Sequence, residues 1–200
     1  MFWGPGSVEN NEVFPMDDFL CLRLSLITGK LANDQMIERR MNSVPNANSF
    51  SILFVCLGNI CRSPAGEGLL QHSIDALEPQ NSIEIDSAGT IGFHTGKPAD
   101  HRMRSAALNR GVQLLSQSRK ITIKDLHSFD LVIAMDRENL ADIQRMTPEP
   151  TAELKLLSDF LGDDWPSDVP DPYYGGDEGF EYVLDMIEAA CPSIINSISV

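Results

Sequence analysis

Membrane-length apolar runs are missing from this 200-residue chain. The longest run near the start, Phe19 to Ile27, is interrupted by Arg23 and falls short of the ~18–20 residues a membrane helix needs. Basic residues are scarce. Fifteen Lys and Arg against 29 Asp and Glu give a formal net charge of -14, which repels a nucleic-acid backbone at long range. Cysteines number four (Cys21, Cys56, Cys61 and Cys191), too few and too scattered for a secreted disulfide framework, so reduced intracellular thiols are expected. There is no second cysteine pair and no closely spaced histidine pair to complete a zinc site, so no metal and no cofactor is expected. No Gly-Lys-[Ser/Thr] ending marks a nucleotide loop. The N-terminus is acidic where a secretory signal is basic, and transit peptides avoid acids. These absences point to a cytoplasmic protein with neither a nucleic-acid nor a membrane partner.

What is present is enough apolar sequence, 42% of the chain, to bury one core. Residues 1–49 stand apart: they are Asn-rich, show no sustained apolar face between Asp17 and Met41, and end in the linker-like stretch Asn42 to Ser49. They are expected to be an N-terminal extension to a domain spanning 50–200. From Ser51 the pattern becomes regular. Ile52 to Val55 reads as a strand buried on both faces, and Ala65 to Leu77 as a helix capped by Ser63, with Pro64 in its first turn and Leu69, Leu70, Ile74 and Leu77 on one stripe. The alternation continues with a strand at Ser82–Asp86, a helix at Pro98–Arg110 stopped by Gly111, a short helix at Ile123–Phe129 and a strand at Asp130–Met135. A helix at Arg137–Met146 and a strand at Glu153–Leu157 follow. A last helix has Phe180, Val183, Leu184, Ile187, Cys191, Ile194, Ile195 and Ile198 near one face, with Pro192 expected to bend or break it. Four short strands separated by helices predict an α/β fold: a four-stranded parallel sheet with helices on both faces, a flavodoxin-like three-layer sandwich. Ligands of such folds sit beyond the carboxyl ends of the strands, where Cys56 falls.

The segment VCLGNICRSP, Val55 to Pro64, carries the chemistry. A loop from Cys56 to Arg62 can wrap backbone N–H groups around an anion, and the following helix adds its positive N-terminal end. Gly58 and Asn59 tolerate the left-handed backbone angles that such a loop needs. Arg62 offers a planar guanidinium that can grip two oxygens of one anion. A thiol at the floor of a positive bowl is favoured in its nucleophilic, ionised form. Ser63 can give that sulfur a hydrogen bond and ease its later departure.

Cys56-x5-Arg62-Ser63 after the first strand, together with the late Asp171-Pro172-Tyr173-Tyr174-Gly175, resembles the low-molecular-weight protein tyrosine phosphatases. The segments IDSAGT (Ile85–Thr90), KPADHR (Lys97–Arg102) and FDLVIAMDRENL (Phe129–Leu140) lie between them in the same order, so the resemblance covers about residues 50–200. It implies a metal-independent hydrolysis of phosphotyrosine in a protein or peptide. Cys56 would act as nucleophile through a phosphocysteine, Arg62 would hold the oxygens, and Asp171 would serve as general acid and then base. Substrate binding falls by resemblance to Leu57, Gly58, Asn59, Ile60, Cys61, Ser63, Phe93, Tyr173 and Tyr174, with His94 an alternative to Phe93. Phosphate and other oxyanions become expected inhibitors, and a monomer or weak dimer the expected state. Ile60, where phosphoarginine-directed members carry threonine, favours an aryl phosphate. Cys61 is implied as a redox guard able to form a disulfide with Cys56. Asp136 is implied as support near the site floor. The position that often holds the loop asparagine through a histidine falls near Ser116, so the resemblance leaves open how Asn59 is held. Arsenate reduction on the same fold lacks its usual resolving pair of cysteines here.

Overall fold

The computed structural model describes residues 49–77 and 82–198, all within the compact unit Asn48–Val200. The expectations for residues 1–48 lie outside the described residues. Four strands, β1 (Phe50–Cys56), β2 (Ile83–Gly89), β3 (Leu131–Ala134) and β4 (Glu153–Leu156), form one parallel sheet in the order β2-β1-β3-β4. The helices are α1 (Arg62–Asp75), α2 (His101–Asn109), α3 (Asp125–Ser128), α4 (Arg137–Gln144) and α5 (Asp177–Ser197). The expected α/β architecture is therefore the observed one. Among the described residues no helix is long and apolar enough to cross a membrane.

Strand β1 is apolar on both faces because both are covered. Ile52, Phe54 and Cys56 pack with α1, α2 and α5 in one core, whereas Leu53 and Val55 join Leu126 of α3 and Ile143 of α4 in the other. Its register pairs Cys56 with Gly89 on β2 and Val55 with Ala134 on β3. The chain leaves β1 toward β2 on one side and returns to β3 on the other. The carboxyl end of β1 is thus the switch point of the sheet, where a crevice opens.

Several sequence expectations shift in detail. Helix α1 begins at Arg62, with Cys61 at the cap position and no side-chain cap, because the Ser63 hydroxyl is engaged elsewhere, near Cys56 and Ala88. Leu77 leaves the apolar stripe. A turn closed by Leu77 N–H onto the Ile74 carbonyl ends the helix first, and the side chain is exposed. Strand β2 runs on to Gly89, three residues beyond its expected end, and so reaches the level of Cys56. Asp100 caps α2 by accepting from the Arg102 N–H, and Gly111 follows that helix at φ 82°. Helix α5 continues through Pro192, which sits on its exposed side, where the carbonyl that loses its partner can meet water. Cys191 is the expected core thiol, and burial pushes its pKa up to about 11.

Phe54, under α1, is the largest fully buried side chain that β1 contributes to the site-bearing face. Gly66 of α1 lets that ring approach so closely that an added Cβ would meet it at 2.7 Å. Phe54→Ala is expected to lower unfolding free energy by about 3–5 kcal/mol, read from the urea midpoint at unchanged m-value.

Candidate active site

After Cys56 the chain turns sharply instead of extending the sheet. Asn59 makes the turn at φ 54°, and it is the one described non-glycine residue with positive φ. Gly58 does not adopt a left-handed conformation, contrary to expectation. Its missing side chain matters because a Cβ would stand 3.2 Å from His94 Cδ2. The loop is closed from below by Asn59 N–H, which donates to Cys56 Sγ at 3.2 Å. Gly89 packs beneath it so tightly that a Cβ there would meet the Leu57 carbonyl at 2.8 Å and the Asn59 nitrogen at 3.0 Å.

The buried Asn59 side chain is held from three sides. Its Nδ2 donates to Ser63 Oγ and Ser87 Oγ, each at 2.9 Å, and its Oδ1 accepts from the Arg119 backbone N–H at 2.8 Å. Ser87 in turn donates to Glu67. Burial raises the pKa of that carboxyl, and hydrogen bonds from Ser87 and Ser116 pull it back. This resolves how the loop asparagine is held: two serines and a backbone amide do the work, with Ser116 one step removed through Glu67. Neither Glu67 nor Arg119 stood out in the sequence, because nothing local pairs a helix carboxylate with a strand serine.

Cys56 Sγ lies 3.1 Å from Ser63 Oγ, and that hydroxyl also reaches the Ala88 carbonyl at 3.2 Å, so its single proton can serve either acceptor. The N–H groups of Leu57, Gly58, Ile60 and Cys61 donate to no acceptor among the described residues. N–H donors grouped in this way are the kind that can receive an oxyanion. Arg62 is 3% exposed, and its guanidinium is shared. Nη1 donates to Asp136 Oδ2 at 2.5 Å and to the Val169 carbonyl at 3.0 Å, and Nη2 reaches Asp171 Oδ2 at 3.3 Å. Burial works against the guanidinium charge, but Cys56, Asp171 and Asp136 together hold its pKa above the ordinary value. Asp136 also caps α4 by accepting from Asn139 N–H, so the helix start fixes where the Arg62 side chain can lie. Burial, then Asp100 and Cys56, push the Cys61 thiol well above the usual thiol range, so this second loop cysteine is protonated at neutral pH.

These groups surround a cavity of about 220 Å³, lined by Cys56, Leu57, Gly58, Ile60, Cys61, Arg62, Ile91, Phe93, His94, Asp171, Tyr173 and Tyr174. Asn59 and Ser63 stand behind that wall. Phe93 and Tyr174, 83% and 92% exposed, stand free at the mouth, which excludes packing as their main role. Tyr173 is less exposed and meets Tyr174 edge to face at 5.0 Å. Phe93 and His94, the two alternatives for an aromatic wall, both line the cavity and contact each other at 4.9 Å. Ile91 was missed; an isolated isoleucine after a strand carries no distinguishing signal. A buried sulfur below free amides and a guanidinium, with a carboxylate at the rim, can attack a phosphorus centre and hand a proton to what leaves.

Residues 51–199 match the model of the low molecular weight phosphotyrosine protein phosphatases. The chain belongs to that family. The human low molecular weight phosphotyrosine protein phosphatase is 35% identical over 149 residues, covering 72% of this chain and 93% of that protein. Among solved structures, a protein tyrosine phosphatase from Entamoeba histolytica is 40% identical, with a TM-score of 0.71 over 74% of this chain and 96% of that one. The Drosophila arginine phosphatase DARP is 30% identical, with a TM-score of 0.70 over 74% of this chain and 98% of the other. The family is one of hydrolases, and the solved structures this chain is similar to include phosphatases named for tyrosine and for arginine.

Gly89→Ala should drive the loop off its seat. Inorganic phosphate is expected to bind about tenfold more weakly, ~1.4 kcal/mol, by calorimetric titration, and the thermal midpoint is expected to fall, because the added Cβ meets backbone that cannot yield cheaply.

Proposed function

We propose that the protein hydrolyses phosphotyrosine in proteins or peptides, without a metal, through a phosphocysteine on Cys56. The observation that carries this reading is the shared guanidinium: Arg62 reaches Asp171 while lining the cavity that has Cys56 at its floor. In the first step the Cys56 thiolate forms the S–P bond as the P–O bond to the aryl group breaks. Asp171 gives its proton to the departing phenolate. In the second step a water attacks phosphorus, Asp171 takes its proton, and the P–S bond breaks to release inorganic phosphate and the thiolate. Ser63 supplies the hydrogen bond that supports the sulfur as it leaves. Arg62 and the amides of the loop, Leu57 to Cys61 with Asn59 as its fixed turn, stabilise the equatorial oxygens through both steps. Free phosphate and similar oxyanions compete for the same donors.

The substrate class follows from depth and lining. Cys56 is 3% exposed at the floor, and the mouth is flanked by Phe93, Tyr173 and Tyr174. A flat aryl group spans that depth and stacks on the rim, worth about 0.5–1.5 kcal/mol beyond area burial, whereas a phosphoserine stem is too short to bring its phosphate to the sulfur. Ile60 gives the lining an apolar residue that suits an aryl ester better than a guanidinium. The same reading takes residues 50–200 as the catalytic domain behind an extension at 1–49, acting as a monomer or weak dimer in the cytoplasm.

With chelator present, an aryl phosphate is expected to be turned over at full rate. Cys56→Ser should show no turnover. Asp171→Ala should lose roughly 10²–10⁴-fold in rate yet still capture substrate. Full activity in Cys56→Ser, or loss on chelation, would sink the proposal, and comparing phosphotyrosine, phosphoserine and phosphoarginine peptides reads the substrate class.

Cys61 enters this reading as a redox guard. Peroxide converts the Cys56 thiolate to a sulfenic acid, which condenses with the Cys61 thiol, forming the S–S bond and releasing water. Peroxide-treated protein is expected to regain activity with dithiothreitol, and Cys61→Ala to lose that recovery. Equal recovery in the variant would remove the guard role.

A further inference from the structure

Arg102 does not line the cavity, yet its guanidinium stands where two independent halves of the site come together. On one side Nε and Nη2 donate to both carboxylate oxygens of Asp100, at 3.1 and 3.0 Å. The backbone N–H of Asp100 donates to the carbonyl of Ile60, in the anion loop, at 2.7 Å. On the other side the guanidinium carbon lies 5.4 Å from the centroid of the Tyr173 ring and 4.6 Å from that of Phe180. Phe180 is buried on α5, whereas Tyr173 follows Asp171 by two residues and donates its backbone N–H to the Asp171 carboxylate at 3.0 Å.

We propose that Arg102 is a positioning residue that holds the Asp171 segment in register with the Cys56 loop, a role that rests on Asp171 being the general acid. The two parts of the site come from segments more than a hundred residues apart, and Arg62 to Asp171 at 3.3 Å is the long direct bond between them. A guanidinium can bridge them because it does two things at once. Its edge makes paired hydrogen bonds to a carboxylate, and its face rests on aromatic rings within the ~6 Å over which the ring quadrupole attracts a cation. Phe180 is fixed in the core, so the cation has one rigid ring and one ring belonging to the acid segment. Tyr173 then carries the constraint to Asp171 through its N–H. Losing Arg102 leaves the anion loop intact and frees the carboxyl that must meet the departing oxygen.

The test is the dependence of kcat/KM on leaving-group basicity over a series of aryl phosphates, since kcat/KM reports the step in which the aryl group departs. Asp171→Asn serves as reference for a missing acid. Arg102→Met is expected to lose about tenfold on phenyl phosphate and less than about threefold on p-nitrophenyl phosphate, because only the poor leaving group depends on a well-placed proton. Its affinity for inorganic phosphate should match that of the unaltered protein. In the Asp171→Asn background Arg102→Met should change the slope no further. Arg102→Lys keeps the charge without the paired edge and should fall between; it decides the matter if Arg102→Met does not fold. A loss uniform across the series, or an unchanged slope, overturns the positioning role while leaving the proposed reaction standing. An unchanged slope in Asp171→Asn itself removes the general-acid reading and this inference with it.

Discussion

The left-handed turn at Asn59 is the constraint on which the rest of the site depends. Such a conformation costs a non-glycine residue of order 1–3 kcal/mol and persists only where its surroundings over-determine it. Here they do: Ser63, Ser87 and the Arg119 amide saturate the side chain, the Asn59 N–H closes on Cys56 Sγ, and the Gly89 backbone fills the space below. Asparagine is suited to this turn because it tolerates positive φ while its amide supplies two donors and one acceptor to neighbours on three different elements. With the turn held, the N–H groups of Leu57, Gly58, Ile60 and Cys61 meet no acceptor among the described residues, and the sulfur sits beneath them.

A second constraint is electrostatic. The chain carries a net charge of -14, yet the function proposed for its site requires it to receive an anion. The conflict is settled locally, by burying one guanidinium and surrounding it with groups that keep it charged. Asp136 and the Val169 carbonyl take Nη1, while Asp171 approaches Nη2. Arg62 thereby links the anion loop to the end of β3 and to the segment that carries Asp171. The buried charge is paired, which is the condition under which a buried ion is tolerable.

Much of this was legible because it is local. The apolar run of β1, the loop, its arginine and the following helix lie within a few residues of one another, so spacing and residue type were sufficient to pick out the loop that lines the cavity. The stripe of α5 and the core role of Cys191 were legible for the same reason. The misreadings were also local in origin. Ser63 looks like a helix cap because serine before proline commonly is one, but its hydroxyl is claimed by a sulfur seven residues back. Leu77 continues the spacing of a helix that has already ended. Gly58 reads as the left-handed residue, yet the structure assigns that angle to Asn59 and needs Gly58 for clearance from His94.

The sequence by itself determined the alternation of strands and helices, the cysteine- and arginine-bearing loop and membership of a family through motifs that stand in order along the chain. Tertiary structure alone decided which distant groups meet. Glu67 behind Ser87, Arg119 against Asn59, Asp136 on Arg62 and Arg102 against Tyr173 are contacts across elements. The physical reason is that propensity and periodicity act over one or two turns of chain. Hydrogen bonds and ion pairs act over a few ångströms of space, and only the packing of helices on both faces of the parallel sheet turns the one distance into the other.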